Sequence, residues 1–356
     1  MSWNISTTQT LNFSIIKTKN ALSFNFATGH RKIVIIDDSV YRLYSHEIQL
    51  DPSDCLLIVK CSESDKNMNN VEVVTKFLYD NGILRRSEPV IVIGGGVLLD
   101  LVGFCCSIYR RGVPYIRVPT TLLAIVDASI GSKTGINHFG CRNRLGSYYP
   151  PTLTVIDKKF IATQDSREIS NGIAEILKLA IILDINLFEL IENNVEQLII
   201  DKFQTGIADS VIDLAINGMV NQLQHNMWEK NLERCVDFGH TFSPGVEMKN
   251  ISNLLHGEAV ILDCILSSCM SFNRNLLNKT ELNRIFNSVT RSGLLTEHPD
   301  FYDIQLLVSN LSDVVKHRDG NQFLTLPHGI GNHVIVNDVT DDEILNAFTV
   351  IKTQNE

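Results

Sequence analysis

No run of about 18 uncharged apolar residues occurs anywhere in the chain, so no membrane-spanning helix is expected. Positive charge is in deficit: 31 lysines and arginines stand against 40 acidic residues, giving a net charge of −9. Nothing here supplies the broad cationic face that neutralises phosphates along a nucleic acid, and such a partner is excluded. Short basic pairs such as Arg110-Arg111 still offer local anion sites. The eight cysteines, at 55, 61, 105, 106, 141, 235, 264 and 269, form no C-x-x-C pair. In a chain this long they read as reduced, mostly buried thiols. The opening Met1-Ser2-Trp3-Asn4 lacks the basic and apolar blocks of a secretory signal, and a cytoplasmic location is expected. Internal repeats, low-complexity tracts and long linkers are also missing.

What is present is a folded composition, 44% hydrophobic and 20% charged, over 356 residues. That length exceeds what one compact core usually takes and predicts two domains. The first half alternates β-branched runs with helical patterns: Lys32–Ile36, Cys55–Lys60, Pro89–Ile93 and Tyr115–Val118 read as strands, Val71–Leu84 as a helix. Alternation of this kind implies right-handed crossovers and a Rossmann-like parallel sheet, whose ligands bind at the carboxyl ends of the strands. The first 25 residues read as an edge hairpin. From about residue 158 strand signals almost vanish, and segments such as Ile169–Ile182, Ile185–Ile199, Ile207–Asn226, Glu258–Leu276 and Asp341–Lys352 read as helices. The expectation is an α/β domain over 1–160 followed by a mainly α-helical domain over 161–356.

Three groups of residues could carry chemistry. Gly94-Gly95-Gly96 with Asp100 follows a strand and opens a helix. Glycines there let a pyrophosphate approach backbone N–H groups, although a tight turn explains such a run equally well. Asp37 or Asp38, ending an earlier strand, reads either as an acceptor for a ribose hydroxyl or as a helix cap. Next, Thr120-Thr121 reads as a helix start, and Asp127 and Lys133 fall in a Gly- and Ser-rich turn with room for a substrate, or in a plain polar loop. In the helical half, Glu175 and Lys178 share one helix face, either as a solvated ion pair or as part of a site. With His240 and His256 from separate segments, Glu175 would make an open His₂Glu metal site.

Read together, these segments resemble the dehydroquinate synthase superfamily of sugar phosphate cyclases. The resemblance runs from about residue 30 to about 335. It rests on the joint order of Gly94-Gly95-Gly96 with Asp100, Arg110-Arg111-Gly112, Pro119-Thr120-Thr121-Leu122-Leu123, Asp127-Ala128-Ser129, Lys133-Thr134-Gly135, Gly172 to Lys178, Phe238-Gly239-His240-Thr241 and His256-Gly257-Glu258. It implies a dehydroquinate synthase-like fold, bound NAD, and Zn2+ or Co2+ held by Glu175, His240 and His256. Glu63, Lys66, Gly95, Gly96, Asp100, Thr120, Thr121, Arg142 and Thr163 match cofactor-contacting positions, as does Asp37 or Asp38. Asp127, Lys133, Asn143 and Lys178 match substrate-contacting positions, Asp127 and Lys178 with catalytic roles. Arg111 matches an arginine that reaches the substrate phosphate of a neighbouring subunit, which implies a homodimer.

The implied reaction is a carbon–oxygen lyase sequence on a small sugar phosphate. A hydroxyl is oxidised to a ketone, so that the neighbouring proton becomes acidic and phosphate leaves by β-elimination. Reduction, ring opening and an intramolecular aldol then close the carbocycle, with NAD regenerated inside one turnover.

Departures from the dehydroquinate synthase pattern point to the substrate. Asp237 stands where that group has Asn, Pro244 where it has a second His, Gly131-Ser132-Lys133 for Gly-Gly-Lys, and Arg142-Asn143 for Lys-Asn. Proline has no proton-transfer group. These changes resemble the cyclases of sedoheptulose 7-phosphate. Within that group Leu223, Asp237 and a His near His317 resemble the 2-epi-5-epi-valiolone synthases rather than the desmethyl-4-deoxygadusol synthases. Lys316 aligns as readily as His317 with a substrate-binding lysine, and Arg234 fits the sedoheptulose-type pattern for the basic residue before Asp237. Asp237 and His317 are read as catalytic, and Leu223, Arg234 and Lys316 as substrate-binding. The alternatives are a 3-dehydroquinate synthase, a cyclase forming desmethyl-4-deoxygadusol or 2-epi-valiolone, and, from another class, a glycerol dehydrogenase-like oxidoreductase.

Overall fold

A computed structural model describes residue 4, residues 12–24, residue 26 and residues 31–356. In the first half lie β1 (Ser14–Lys17), β2 (Ile33–Asp37), α1 (Asp38–Tyr44), β3 (Cys55–Val59), α2 (Met68–Asp80), β4 (Val90–Gly94), α3 (Gly96–Ile108), β5 (Tyr115–Pro119), β6 (Lys133–His138), β7 (Cys141–Tyr148) and β8 (Leu153–Ile156). The second half holds α4 (Ser166–Leu183), α5 (Ile185–Ile200), α6 (Gly206–Leu223), α7 (Ser243–Lys249), α8 (His256–Asn273), α9 (Lys279–Arg291), α10 (Ile304–His317), β9 (Leu324–Pro327), β10 (His333–Val336) and α11 (Asp341–Asn355).

Six strands form one parallel sheet in the order β1-β8-β5-β4-β2-β3. Its middle strands are β-branched because both faces are covered. Ile33, Ile35, Val90 and Val92 pack under α2 and α3, while Val34, Ile36, Ile91 and Ile93 pack on the opposite face with Val40 and Tyr44 of α1. The four expected strands and the first helix are all present within a few residues of their predicted ends.

Three expectations need correction. The predicted N-terminal hairpin is not formed by the described residues: β1 pairs parallel with β8 at the sheet edge, and much of the rest lies outside the described residues. The Gly- and Ser-rich turn is confined to residues 129–132: Asp127 before it lies on a helical turn, and Lys133–His138 after it pairs antiparallel with β7. Strands also return late, as the short hairpin of β9 and β10. Runs of four residues carry too little pattern to be read inside a helical stretch.

The helical half is built on two helices that are buried nearly all round. Every residue of α4 from Ile169 to Ile182 is buried, as is every residue of α8 from Gly257 to Ser271. They can lie close because of glycine. A Cβ on Gly257 would stand 2.0 Å from the carbonyl oxygen of Asn171 on α4, and one on Gly172 would stand 2.7 Å from the Leu123 nitrogen. These contacts bring the start of α8 and the turn after β5 against the middle of α4. Gly257→Ala is therefore expected to cost about 1–3 kcal/mol through forced backbone separation, despite the roughly 1 kcal/mol gain in helix propensity. Denaturant unfolding measures the difference. A variant as stable as the parent would contradict the close approach.

Candidate active site

One cleft of about 1210 Å³ runs from the carboxyl ends of the sheet strands to the buried helices. Asp37 ends β2 there and caps α1, accepting from the Ser39 and Val40 N–H groups. Asp37 lines the cleft, whereas Asp38 lies outside its lining and pairs with Arg42 one turn on. The earlier choice between cap and ligand contact thus resolves into both roles being open to Asp37.

Gly95 and Gly96 open α3 where β4 ends, with Thr120 and Thr121 beside them at the end of β5. A Cβ on Gly95 would sit 3.2 Å from the Thr121 methyl, and one on Gly96 3.2 Å from the Ala128 methyl. Unpaired N–H groups of a helix start facing a bare backbone wall make a cradle for phosphate. Glu63, Lys66, Asp100, Arg142, Asn143 and Thr163 line the same cleft. Lys66, only 2% exposed, donates to Asp100 at 2.7 Å and to Asn143 at 2.6 Å. Asn143 takes a left-handed φ of 49°, which turns its side chain toward that lysine rather than out along β7. Thr163 hydrogen-bonds the Tyr44 hydroxyl at 3.1 Å.

Deeper in the cleft, α4 carries Glu175 and Lys178 on its third and fourth turns. Their side chains are 1% and 2% exposed, and Lys178 Nζ stands 2.5 Å from Glu175 Oε2. The solvated ion pair is therefore excluded: this is a buried one. Glu175 Oε1 lies 3.8 Å from His240 Nε2 and 3.2 Å from His256 Nε2. The three ligand atoms fall within 4.8 Å of one another.

His240 is held by its own turn. Asp263 of α8 accepts the backbone N–H groups of Thr241, Phe242 and Ser243 at 2.9, 2.6 and 2.9 Å, which pins the segment just after the histidine. Burial pushes the Asp263 carboxyl up to about 6 against the pull of those donors. His240 Nδ1 donates to the Phe238 carbonyl at 3.2 Å, leaving Nε2 as the free lone pair.

The electrostatics follow from burial of unlike charges. Burial and then the Lys178 charge lower His240 to about 3, so it is a neutral imidazole. Burial and Arg142 push His256 down, but Glu247 and Glu175 outweigh them and hold it at about 9. Burial drives Glu175 up, yet Lys178 and the two histidines hold it well below the usual carboxylate range. Burial pulls Lys178 down, and Glu175 with Asp127 restores it above its ordinary value. Asp127, raised first by burial and then by Glu175, sits on a π-helical turn (Ala124–Ala128) that packs against α4. An irregular turn of this kind aims a side chain where a regular helix would not.

Both Glu175 oxygens are buried and neither accepts a well-directed hydrogen bond; Lys178 meets one of them only as an ion-pair contact. One carboxylate, two imidazoles with their Nε2 atoms turned inward and an anionic surround suit Zn2+ or Co2+. The residues fit such an ion.

At the outer end, Asp237 is clamped between Arg234 at 3.0 Å and Arg318 at 3.4 Å, and the charges of Arg234, Lys133 and Arg318 hold it ionised against burial. Lys133 reaches Glu229 at 2.5 Å, and Arg234 reaches the same oxygen at 2.6 Å. Leu223 and His317 line this end, whereas Lys316 and Arg111 do not. Sequence reasoning missed Glu229, Glu247 and Arg318. None sits in a recognisable run, and Glu229 and Glu247 are marked out only by being carboxylates that the fold buries.

Comparison with known proteins agrees with this geometry. Residues 56–171 match the family model for the 3-dehydroquinate synthase N-terminal part and residues 172–317 the model for its C-terminal part. The chain is 46% identical over 331 residues to a 2-epi-5-epi-valiolone synthase of Streptomyces albus, covering 90% of this chain and 80% of that protein. It is 31% identical over 336 residues to a 3-dehydroquinate synthase of Prochlorococcus marinus, covering 93% and 91%. Among solved structures it resembles ValA, the 2-epi-5-epi-valiolone synthase of Streptomyces hygroscopicus subsp. jinggangensis 5008 with NAD+ and Zn2+ bound, at a TM-score of 0.95 and 40% identity over 99% of this chain and 100% of that one.

Lys178→Met tests the buried pair. Leaving Glu175 without its counter-charge should cost about 3–5 kcal/mol of stability, part of which added Zn2+ restores by replacing the ammonium. Urea unfolding with and without Zn2+ reads this. Equal stability of parent and variant would contradict the geometry.

Proposed function

From membership of the 3-dehydroquinate synthase family, to which this chain belongs, we propose that it is a sugar phosphate cyclase converting sedoheptulose 7-phosphate to 2-epi-5-epi-valiolone with release of phosphate. The observation that carries this reading is the meeting of Glu175, His240 and His256 beside Lys178, in the same cleft as the Gly95-Gly96 cradle. When bound, NAD supplies a reversible hydride acceptor and the divalent cation a Lewis acid.

The chain's own residues do the rest. Residues 1–160 would hold most of the dinucleotide: the α3 start and Thr120-Thr121 at its phosphates, Asp37 at a ribose hydroxyl, with Glu63, Lys66, Asp100 and Arg142 around it and Thr163 joining from just beyond that range. Residues 161–356 would hold the metal and most of the substrate. Lys178, kept protonated by Glu175 and Asp127, can donate a hydrogen bond or a proton to the oxygen of the hydroxyl undergoing oxidation. Asp127, whose carboxyl burial raises, is a second proton carrier near that lysine.

Lys133, Arg234 and Arg318 bring three cations against the two carboxylates Glu229 and Asp237. The surplus positive charge suits a phosphate ester, with Asn143 and His317 within the same lining. Asp237, held ionised, accepts hydrogen bonds and repels carboxylates. That favours a substrate bearing a hydroxymethyl group over one bearing the carboxylate of 3-deoxy-arabino-heptulosonate 7-phosphate. Arg111, exposed and outside its own cleft, is proposed to reach the neighbouring subunit's substrate phosphate in a homodimer. The reaction class is a carbon–oxygen lyase, and the eight free cysteines accord with a cytoplasmic location.

Purified protein with NAD and Zn2+ or Co2+ should release phosphate from sedoheptulose 7-phosphate without a lasting rise in NADH absorbance, and NMR should identify the cyclic product. Turnover of 3-deoxy-arabino-heptulosonate 7-phosphate alone would assign the chain to the 3-dehydroquinate synthases. Net NADH production would make it an oxidoreductase.

A further inference from the structure

His256 has two faces with different neighbours. Its Nε2 points to Glu175 at 3.2 Å, and its Nδ1 stands 3.1 Å from Glu247 Oε2. The Glu247 side chain is 4% exposed. It sits on α7, whose preceding backbone is pinned by Asp263 and whose first turn contains Pro244. Proline at that place is compatible with a helix start, where the lost N–H has no intrahelical partner. The same residue that removes a proton-transfer group thus helps begin the helix that delivers Glu247.

Arg142 complicates the picture. Its guanidinium pairs with Glu247, lies 3.6 Å from Glu63, and stands 2.5 Å from the same His256 Nδ1. A guanidinium only donates and an ionised carboxylate only accepts. The two neighbours therefore ask for opposite tautomers of His256. Donation from Arg142 would put the imidazole proton on Nε2 and block a ligand bond. Donation from Nδ1–H to Glu247 keeps that nitrogen protonated, so the proton a bound cation displaces is the one on Nε2, facing Glu175. Arg142 stands at Nδ1 too, yet it is ion-paired with Glu247, and of the two only the carboxylate can accept the Nδ1 proton.

We propose that Glu247 is the positioning residue of the metal site: it fixes the tautomer and ring orientation of His256, with Arg142 as its counter-charge. Glu247 touches no reacting atom. The proposal rests on the reading of Glu175, His240 and His256 as a metal site, but not on which sugar phosphate is the substrate. Outer carboxylates that orient a ligating histidine characteristically change metal affinity by about 10–100-fold when altered.

The test is Glu247→Gln, with Zn2+ and Co2+ affinities measured by competition against a chelating dye, and the visible spectrum of the Co2+-loaded form recorded. The expected result is a Kd for either ion raised about 10–100-fold, a shifted Co2+ band, and kcat largely recovered at saturating metal. If Glu247→Gln does not fold, Glu247→Asp is read the same way, since it keeps the charge and withdraws it from Nδ1. Affinity within about twofold of the parent, with an unchanged Co2+ spectrum, would overturn the proposal and leave Glu247 as a counter-ion for Arg142 alone. Failure of the unaltered protein to bind either ion would overturn the metal site itself, and this proposal with it.

Discussion

A carboxylate buried to 1% exposure is the constraint on which the helical half depends. Taking Glu175 out of water costs several kcal/mol unless positive charge is brought to it. Lys178 supplies one charge from the next turn of the same helix, and the two imidazoles turn their ring nitrogens toward what remains. Around that centre the fold is unusually specific. Asp263 ties down the His240 turn with three backbone hydrogen bonds, and Gly257 allows the start of α8 to lie against α4.

The sheet contributes the other half of the site for a topological reason. Strands β2, β4 and β5 are parallel, so Asp37, the Gly94–Gly96 turn and Thr120-Thr121 all emerge at one edge. The hairpin of β6 and β7 then crosses toward the helices. Arg142 on β7 meets Glu247 on α7, and Lys133 on β6 meets Glu229 before Arg234. Each bridging contact is an ion pair with at least one side chain nearly buried, so cleft geometry and charge balance are set together.

Much of this was legible in the amino-acid order. Buried parallel strands announce themselves as β-branched runs, and Lys32–Ile36 and Pro89–Ile93 did so within one or two residues. The grouping of Glu175, His240 and His256 came from the family resemblance of ordered motifs rather than from local pattern. Glu175 and Lys178 alone read most often as a solvated ion pair, because oppositely charged residues three apart on a helix commonly pair in water; only the packing of α4, buried from Ile169 to Ile182, shows otherwise. The β6–β7 hairpin has no β-branched run to announce it, since its small residues are there for contact: a Cβ on Gly146 would stand 2.5 Å from the Thr134 carbonyl oxygen. Arg318 was passed over for Lys316 and His317, and only the end of α10 shows that it is the one turned in to Asp237, 4% exposed. Glu229 and Glu247 have no local signature. Their importance is a matter of which cations the fold places beside them.

X-ray absorption at the zinc edge of the Zn2+-loaded protein reads the surroundings of the ion that Glu175, His240 and His256 would hold. The expected coordination shell is nitrogen and oxygen only, at about 2.0–2.2 Å, lost in Glu175→Gln. A shell containing sulfur near 2.3 Å, or one unchanged by that substitution, would place the ion at a cysteine or elsewhere and contradict that assignment.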